Sequence, residues 1–382
     1  MNAVQLQRSV RDYAESIGID KIGFTTAAPF RELKNRLKRQ QELGYQSGFE
    51  EKDLDKRTEP ALLLDQAESI IAIAVAYPSK MVDSPRGKKG ERRGIFCRAS
   101  WGTDYHTVLR EKLSLLEEFI LEHAPAAKVR SMVDTGELAD RAVAERAGIG
   151  WSAKNCSIIT PEFGSYVYLG EMITNIPFAP DVPMEDDCGD CTLCLDVCPT
   201  GALIQGGQLN AQRCIAFLTQ SKKPIPEEFR MEFGNRIYGC DTCQTVCPKN
   251  KGKHNLHQQA FQPDPELAKP LLQPVLRLSN REFKEKFGHV SGSWRGKNPI
   301  QRNAIIALAH FKEESAVPEL ISMLENDPRP VIRGTIAWAL GRIGLEEGYV
   351  AIKEALSKEE DPEVRVELEK AEETFRMNTP VD

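Results

Sequence analysis

The sequence predicts an α+β chain in three parts: a mixed α/β N-terminal domain, a small cysteine-dense domain, and a C-terminal α-helical domain of repeated hairpins. Three observations carry that prediction. Helical and strand periodicities alternate through residues 1–180. Eight of the ten cysteines fall between Cys188 and Cys247. From about residue 299, short amphipathic helices recur with a period of just over 30 residues.

A chain of 382 residues is too long for one hydrophobic core and fits two to four domains. A hydrophobic fraction of 41% beside 28% charged residues excludes global disorder. The opening MNAVQLQRSVRDYAESIGIDKIGF has no apolar core and no small-residue cleavage site, so no secretory signal is expected. No apolar run approaches the roughly 18 residues of a membrane span, and a cytoplasmic protein with no membrane partner is expected. Reduced thiols are the rule in that compartment, so clustered cysteines there point to metal rather than disulfides. The net charge of −6 predicts no nucleic-acid partner by itself, although it averages over local basic segments.

In the N-terminal part, helices are predicted over 6–18, 30–44 and 105–124, where apolar residues return every three or four positions. Strands are predicted at 69–78, 127–134 and 165–175. The first of these, SIIAIAVAYP, is continuously apolar and reads as a buried strand. SPRGKKGERRG (84–94) is predicted as an exposed loop, and IPFAPDVPMEDD (176–187), with three prolines, as a domain boundary. The expected limits are 1–180 for the first domain, 181–255 for the cysteine domain, 256–298 for a basic connecting segment, and 299–382 for the repeats.

The cysteine domain opens with DDCGDCTLCLDVCPTGALI (186–204), in which Cys188, Cys191, Cys194 and Cys198-Pro199 match the bacterial ferredoxin run C-x2-C-x2-C-x3-C-P. A second, partial run, CDTCQTVCPKN, supplies Cys240, Cys243 and Cys247-Pro248, with Cys214 available as its missing ligand. Soft thiolates in fours suit [4Fe–4S] cubes, and in two-cluster ferredoxins the last cysteine of each run crosses to the other cube. Cluster one is therefore assigned Cys188, Cys191, Cys194 and Cys247, and cluster two Cys198, Cys214, Cys240 and Cys243. Two four-cysteine zinc sites are the rival reading. Zinc ribbons seldom carry three cysteines at successive three-residue spacing with Cys-Pro at both ends.

In the C-terminal part, AIIALAHFKEESAVPELISMLENDPRPVIR (304–333) is echoed by TIAWALGRIGLEEGYVAIKEALSKEEDPEVR (335–365). Each half has an Ala/Leu helix, a turn, a second amphipathic helix and then Asp-Pro followed closely by arginine. That pattern predicts HEAT-like hairpins, with two unrelated hairpins as the alternative.

The candidate reaction centre lies in MVDTGELADRAVAERAGIGWSAKNCSII (132–159). Asp134 ends a strand and opens a Gly-containing turn before a helix over 138–148. A carboxyl there can donate a proton if burial raises its pKa, or it can simply cap the helix. The stretch VDTGELADRAVAERAGIGWSAKN, then GSYVYLGEMITN (164–175), then the double cysteine run and the helical repeats, resembles the epoxyqueuosine reductase family over nearly the whole chain.

That resemblance implies an oxidoreductase that uses cobalamin and two [4Fe–4S] clusters to reduce epoxyqueuosine to queuosine at the wobble position of tRNA, the last step of queuosine biosynthesis. It makes residues 1–180 a cobalamin-binding catalytic domain with Asp134 as proton donor. It further implies that Arg57, Cys97, Asp134, Lys154, Asn155, Ser157 and Leu169 contact the cofactor. The family often reads GWIGKN where this chain reads GWSAKN (150–155). No D-x-H-x-x-G run is present, so cobalt is expected to have no histidine lower ligand. An external electron donor of flavodoxin or ferredoxin type is implied, and nothing requires more than a monomer.

For tRNA, cationic surface is needed because phosphate contacts dominate affinity. RLSNREFKEKFGHVSGSWRGKNPIQR (277–302) is rich in arginine and lysine, including Arg302, and Lys222-Lys223 add a second patch. Arg281, Arg295 and Lys297 are the favoured contacts, since the family's tRNA contacts fall in that stretch. Two other functions compete. A reductive dehalogenase-like cobalamin enzyme would act on a small substrate, but the repeats and the missing export signal count against it. A ferredoxin-type electron-transfer protein would leave residues 1–180 unexplained.

Overall fold

A computed structural model describes residues 2–378, and the chain folds into two compact units that it enters more than once. The first unit comprises Met1–Lys80, Gly102–Cys214 and Asp241–Gln262; the second comprises Met81–Trp101, Ile215–Cys240 and Pro263–Asp382. Among the described residues, no helix is long and apolar enough to cross a membrane.

The first unit is built on a four-stranded antiparallel sheet: β1 (Lys21–Thr26), β2 (Ser69–Ala76), β3 (Val129–Met132) and β4 (Val167–Thr174), in the order β1-β2-β4-β3. Every residue of β2 is buried, as its unbroken apolar run requires of a central strand covered on both faces. Ile70, Ala72 and Ala74 pack with Ile173 of β4 against Val143, Ala144 and Ala147. Those three lie on or just after α5 (Asp140–Arg146). This unit also contains α1 (Ala3–Ser16), α2 (Arg31–Glu42), the single-turn α3 (Leu54–Thr58) and α4 (Tyr105–His123). Helix α4 packs on β3 and β4. The three predicted strands and three predicted helices are present within a few residues of their expected ends. β1 was not expected. KIGFTT is a short edge strand with polar ends, and Gly23 is needed because a Cβ there would run into the Ala147 carbonyl.

The second unit takes residues 81–101 out of the linear order. Ile95–Phe96 pairs in parallel with Arg236–Tyr238, and Phe96 stacks on Phe287 at 5.4 Å in this unit's core. Five helices follow: α6 (Lys297–His310), α7 (Val317–Asn326), α8 (Pro330–Ile343), α9 (Glu346–Leu356) and α10 (Pro362–Asn378). The Asp327 side chain accepts from the Arg329 amide at the entrance to α8, and Asp361 accepts from the Glu363 and Val364 amides of α10. Arg333 donates back to the Asp327 carbonyl, and Arg365, at the same offset, to the Glu359 carbonyl. The arginine bonds repeat at a spacing of 32 residues, with Glu359, which accepts the Asp361 amide, standing where Asp327 accepts that of Arg329, and they favour a repeat over two unrelated hairpins.

Candidate functional site

Two short helical turns, Leu193–Asp196 and Thr242–Thr245, pack together in the first unit and carry the paired cysteine runs. Cys188, Cys191, Cys194 and Cys247 line one cavity with Ala153, Lys154, Asn155, Ile159, Leu193, Pro248 and Lys249. The crossing cysteine, 49 residues beyond Cys198, thus stands with the first run. The four thiols line a shared space. A cube binds four thiolates at its four iron corners. Burial raises the Cys194 thiol, and the three neighbouring cysteines raise it further, so it gains from binding as thiolate to a cationic cluster.

Of the other set, Cys198, Cys214 and Cys243 belong to the first unit and Cys240 to the second, where Cys240 packs against the apolar core. The Cys198 sulfur accepts the Ala202 amide at 3.3 Å. Arg213, beside Cys214, donates to the Thr200 carbonyl at 2.9 Å, tying the end of the first run to the approach of Cys214.

The Gly-rich loop serves the cysteine module. Lys154 donates to the carbonyls of Gly189 (2.5 Å) and Cys191 (3.1 Å), and buried Asn155 accepts the Ser157 amide at 3.1 Å while its own NH2 reaches the Cys243 carbonyl at 3.5 Å. These side chains, expected around a corrin, are engaged with the cysteine loops.

Asp134 sits at the centre of a three-residue turn after β3. The Thr135 amide donates to the Val133 carbonyl at 2.5 Å, and Asp134 takes φ +52, a left-handed conformation that is costly for a side-chain-bearing residue. It does not cap α5, which starts at Asp140. Its carboxylate accepts the Tyr105 hydroxyl at 2.7 Å and faces His106 Nε2 at 3.5 Å. Both partners open α4. Asp104, the cap of that helix, accepts the His106 amide at 3.0 Å and holds His106 Nδ1 at 2.8 Å, which aims Nε2 at Asp134. Tyr105 is fixed by stacking on Tyr168 at 4.6 Å.

The electrostatics differ from expectation. The His106 contact outweighs the burial that pushes Asp134 up, and Tyr105 adds to it, holding the carboxyl below the usual range. Burial works against a charged His106, yet Asp104 and Asp134 together raise it to about 9. At neutral pH the proton therefore rests on the imidazole. Tyr105 and His106 went unread in the sequence, although a helix opening in Asp-x-His was the signal available.

Arg57 lies on α3, half-buried, and its Nε has no hydrogen-bond partner; burial lowers its pKa, with Glu50 opposing. Leu169 lies on β4 at the edge of the apolar core. Cys97 belongs to the second unit, where its amide bonds to the Tyr238 carbonyl at 2.9 Å. Gly239 makes room for its sulfur, because a Cβ there would overlap it.

The basic residues of the second unit separate into two groups. Lys222, Lys223 and Arg281 are exposed, Arg281 in an ion pair with Glu285. Arg295 donates to the Gln220 carbonyl and stacks over Trp294, while Lys297 donates to the Leu278 carbonyl and is lowered by its burial and by Arg329. Arg302 is no part of a cationic surface. It is 1% exposed and donates to the carbonyls of Leu218, Ser221 and Lys223, holding the loop that carries the two lysines.

Residues 187–250 match the family model for the 4Fe-4S double cluster binding domain, 57–135 that of Epoxyqueuosine reductase QueG, DUF1730, and 297–371 that of HEAT repeats. The epoxyqueuosine reductase of Bacillus subtilis is 66% identical over 379 residues, 99% of this chain and 98% of its own. That of Bacillus anthracis is 66% identical over 368 residues, 96% and 97% of the two chains. A crystal structure of epoxyqueuosine reductase with an epoxyqueuosine-modified tRNA-Tyr stem loop is 66% identical, with a TM-score of 0.97 over 98% of this chain and 100% of that one. A Bacillus subtilis structure with its Asp134 catalytic loop swung out of the active site is 65% identical, with a TM-score of 0.96 over 98% and 100%.

Proposed function

The chain belongs to the epoxyqueuosine reductase family, and on that premise we propose that it reduces epoxyqueuosine in the tRNA anticodon to queuosine in the cytoplasm. The reaction takes up two electrons and two protons; both epoxide C–O bonds break, the alkene forms and the oxygen leaves as water. The observation that carries the reading is the Asp104–His106–Asp134–Tyr105 array on a strained turn, in the same unit as a four-thiol cavity. Two [4Fe–4S] clusters, held by the eight cysteines as assigned, supply a one-electron relay from an external donor of flavodoxin or ferredoxin type. Cobalamin, when bound, supplies the reduced cobalt that epoxide deoxygenation requires. Its amide-bearing rim fits the orphaned Arg57 Nε, and Cys97, Ser157 and Leu169 are its further proposed contacts.

The chain's own residues handle the proton. Asp134 delivers it to the departing oxygen, His106 stores it behind Asp134, Asp104 orients the imidazole, and the Tyr105 hydroxyl fixes the carboxylate. The test is anaerobic protein reconstituted with iron, sulfide and cobalamin, assayed on an epoxyqueuosine-bearing tRNA stem loop. Cluster and base-off corrinoid absorption with conversion to queuosine are expected; failure to bind corrinoid overturns the reading. Because His106 is raised, the proton is fully present below its ordinary pKa of about 6.5 and is lost as pH rises through about 9. Single-turnover rates should hold from neutral pH to about 8 and fall through about 9. A profile flat to pH 10 would remove His106 as the store.

Lys222, Lys223 and Arg281 are the proposed phosphate contacts, with Arg295 and Lys297 shaping the surface beside them. Glu substitutions at Lys222 and Lys223 should weaken stem-loop binding about tenfold and flatten its salt dependence by up to about two charges. Unchanged affinity and slope would clear this loop of contact.

A further inference from the structure

We propose that Glu171 and Asp140 share one proton and together hold Asp134 in its strained turn, making them positioning residues for the proton donor. The inference rests on the reading of Asp134 as donor, and it concerns groups that play no direct part in the chemistry above.

Glu171 is an unusual occupant of its position. It lies in the interior of β4, opposite Ala72 of β2 and Met132 of β3, and is 1% exposed. Neither of its oxygens meets a hydrogen-bond donor among the described residues. An ionised carboxylate left so would carry a desolvation penalty of several kcal/mol. Glu171 shares its strand face with Leu169 and Ile173, which pack on Val143 and Ala144 of α5, and the carboxyl that interacts with it is that of Asp140 at the start of this helix. Two carboxyls that close cannot both be ionised, so a proton lies between them.

The geometry says which carboxyl is the acid. Asp140 Oδ2 accepts the Asp134 amide at 2.9 Å, a bond that favours Asp140 as carboxylate. Arg57 also favours its charge. Glu171, with no such support, keeps the proton and donates it to Asp140. Burial, then Asp134, lifts Asp140 to about 6, while burial and both aspartates lift Glu171 far above the ordinary range. Above pH 6 the pair is thus one acid and one carboxylate.

The consequence falls on the turn. Asp134 at φ +52 persists only if its surroundings over-determine it. Tyr105 and His106 hold its side chain; the Asp140 carboxylate holds its amide. Glu171 in turn fixes the Asp140 rotamer from inside the sheet. A leucine at position 171 removes the proton donor and leaves the Asp140 rotamer without that support.

The test uses the reconstituted holoenzyme and readouts apart from turnover. Infrared difference spectra at neutral pH, wild type minus Glu171→Gln, should contain a protonated-carboxyl carbonyl stretch. Glu171→Leu should speed amide exchange across residues 133–136 about tenfold and lower kcat by up to about 10²-fold with KM for the stem loop little changed. Glu171→Gln, which can still donate to Asp140, should retain the greater part of the rate. Absence of the protonated-carboxyl band overturns the proposal, as does unchanged exchange in Glu171→Leu. If Glu171→Leu does not fold, the infrared result on the glutamine variant decides. Should Asp134→Asn keep full activity, the donor reading fails while the band and the exchange still report on the pair.

Discussion

Replacing Asp134 by asparagine should lower reduction of epoxyqueuosine-bearing tRNA by at least about 10²-fold, the usual contribution of a positioned acid. Asparagine suits the test because it tolerates the left-handed region better than most residues, so φ +52 is preserved. Its carbonyl can still accept the Tyr105 hydroxyl, and its amide can still bond to Asp140. What it cannot do is take the His106 proton and pass it on. The variant should therefore bind iron and cobalamin at wild-type stoichiometry and fail in single turnover. His106 would also lose one of the two carboxylates that raise it, and its titration should move below about 9. Near-normal turnover would remove Asp134 as the acid.

Replacing Cys247 by alanine should remove the same cluster that is lost on replacing Cys191, although the two cysteines belong to different runs. Both line the cavity with Cys188 and Cys194. Iron should fall from about eight to about four atoms per chain in either variant, and turnover should be lost because the relay is broken. Cys198→Ala should give the same iron loss with a different electron paramagnetic resonance signal, that of the surviving first cluster. If Cys247→Ala instead matches Cys198→Ala and differs from Cys191→Ala, the crossed assignment is wrong.

The parts legible in the sequence were those carried by near neighbours. Cysteines three residues apart wrap one cavity because a single turn of chain returns each thiol to the same side. The Asp-Pro segments of the repeats could be read because the bonds their aspartates accept span two or three residues. The continuous apolar run of β2 announced its burial without reference to any partner. Even the grouping of Cys247 with the first run followed from a known regularity of paired cysteine motifs.

Contacts across tens of residues were not legible, and these decide the protonation state of the site. The sequence left open whether burial raises the carboxyl on this turn or whether it caps a helix; it is lowered, because α4 brings Tyr105 and His106 against it. Arg302 read as surface charge until the fold directed it into the carbonyls of the 218–223 loop. Residues 81–101, with Cys97, read as part of the first domain, whereas strand pairing and the Phe96–Phe287 stack draw them into the second unit. Glu171 passed unread inside an otherwise ordinary strand. By itself the sequence determined the elements, the paired cysteine runs and the family, since periodicity and spacing are local. Which groups hold protons, and which cations face solvent, depended on desolvation and on partners distant in sequence, and only the tertiary structure supplies those.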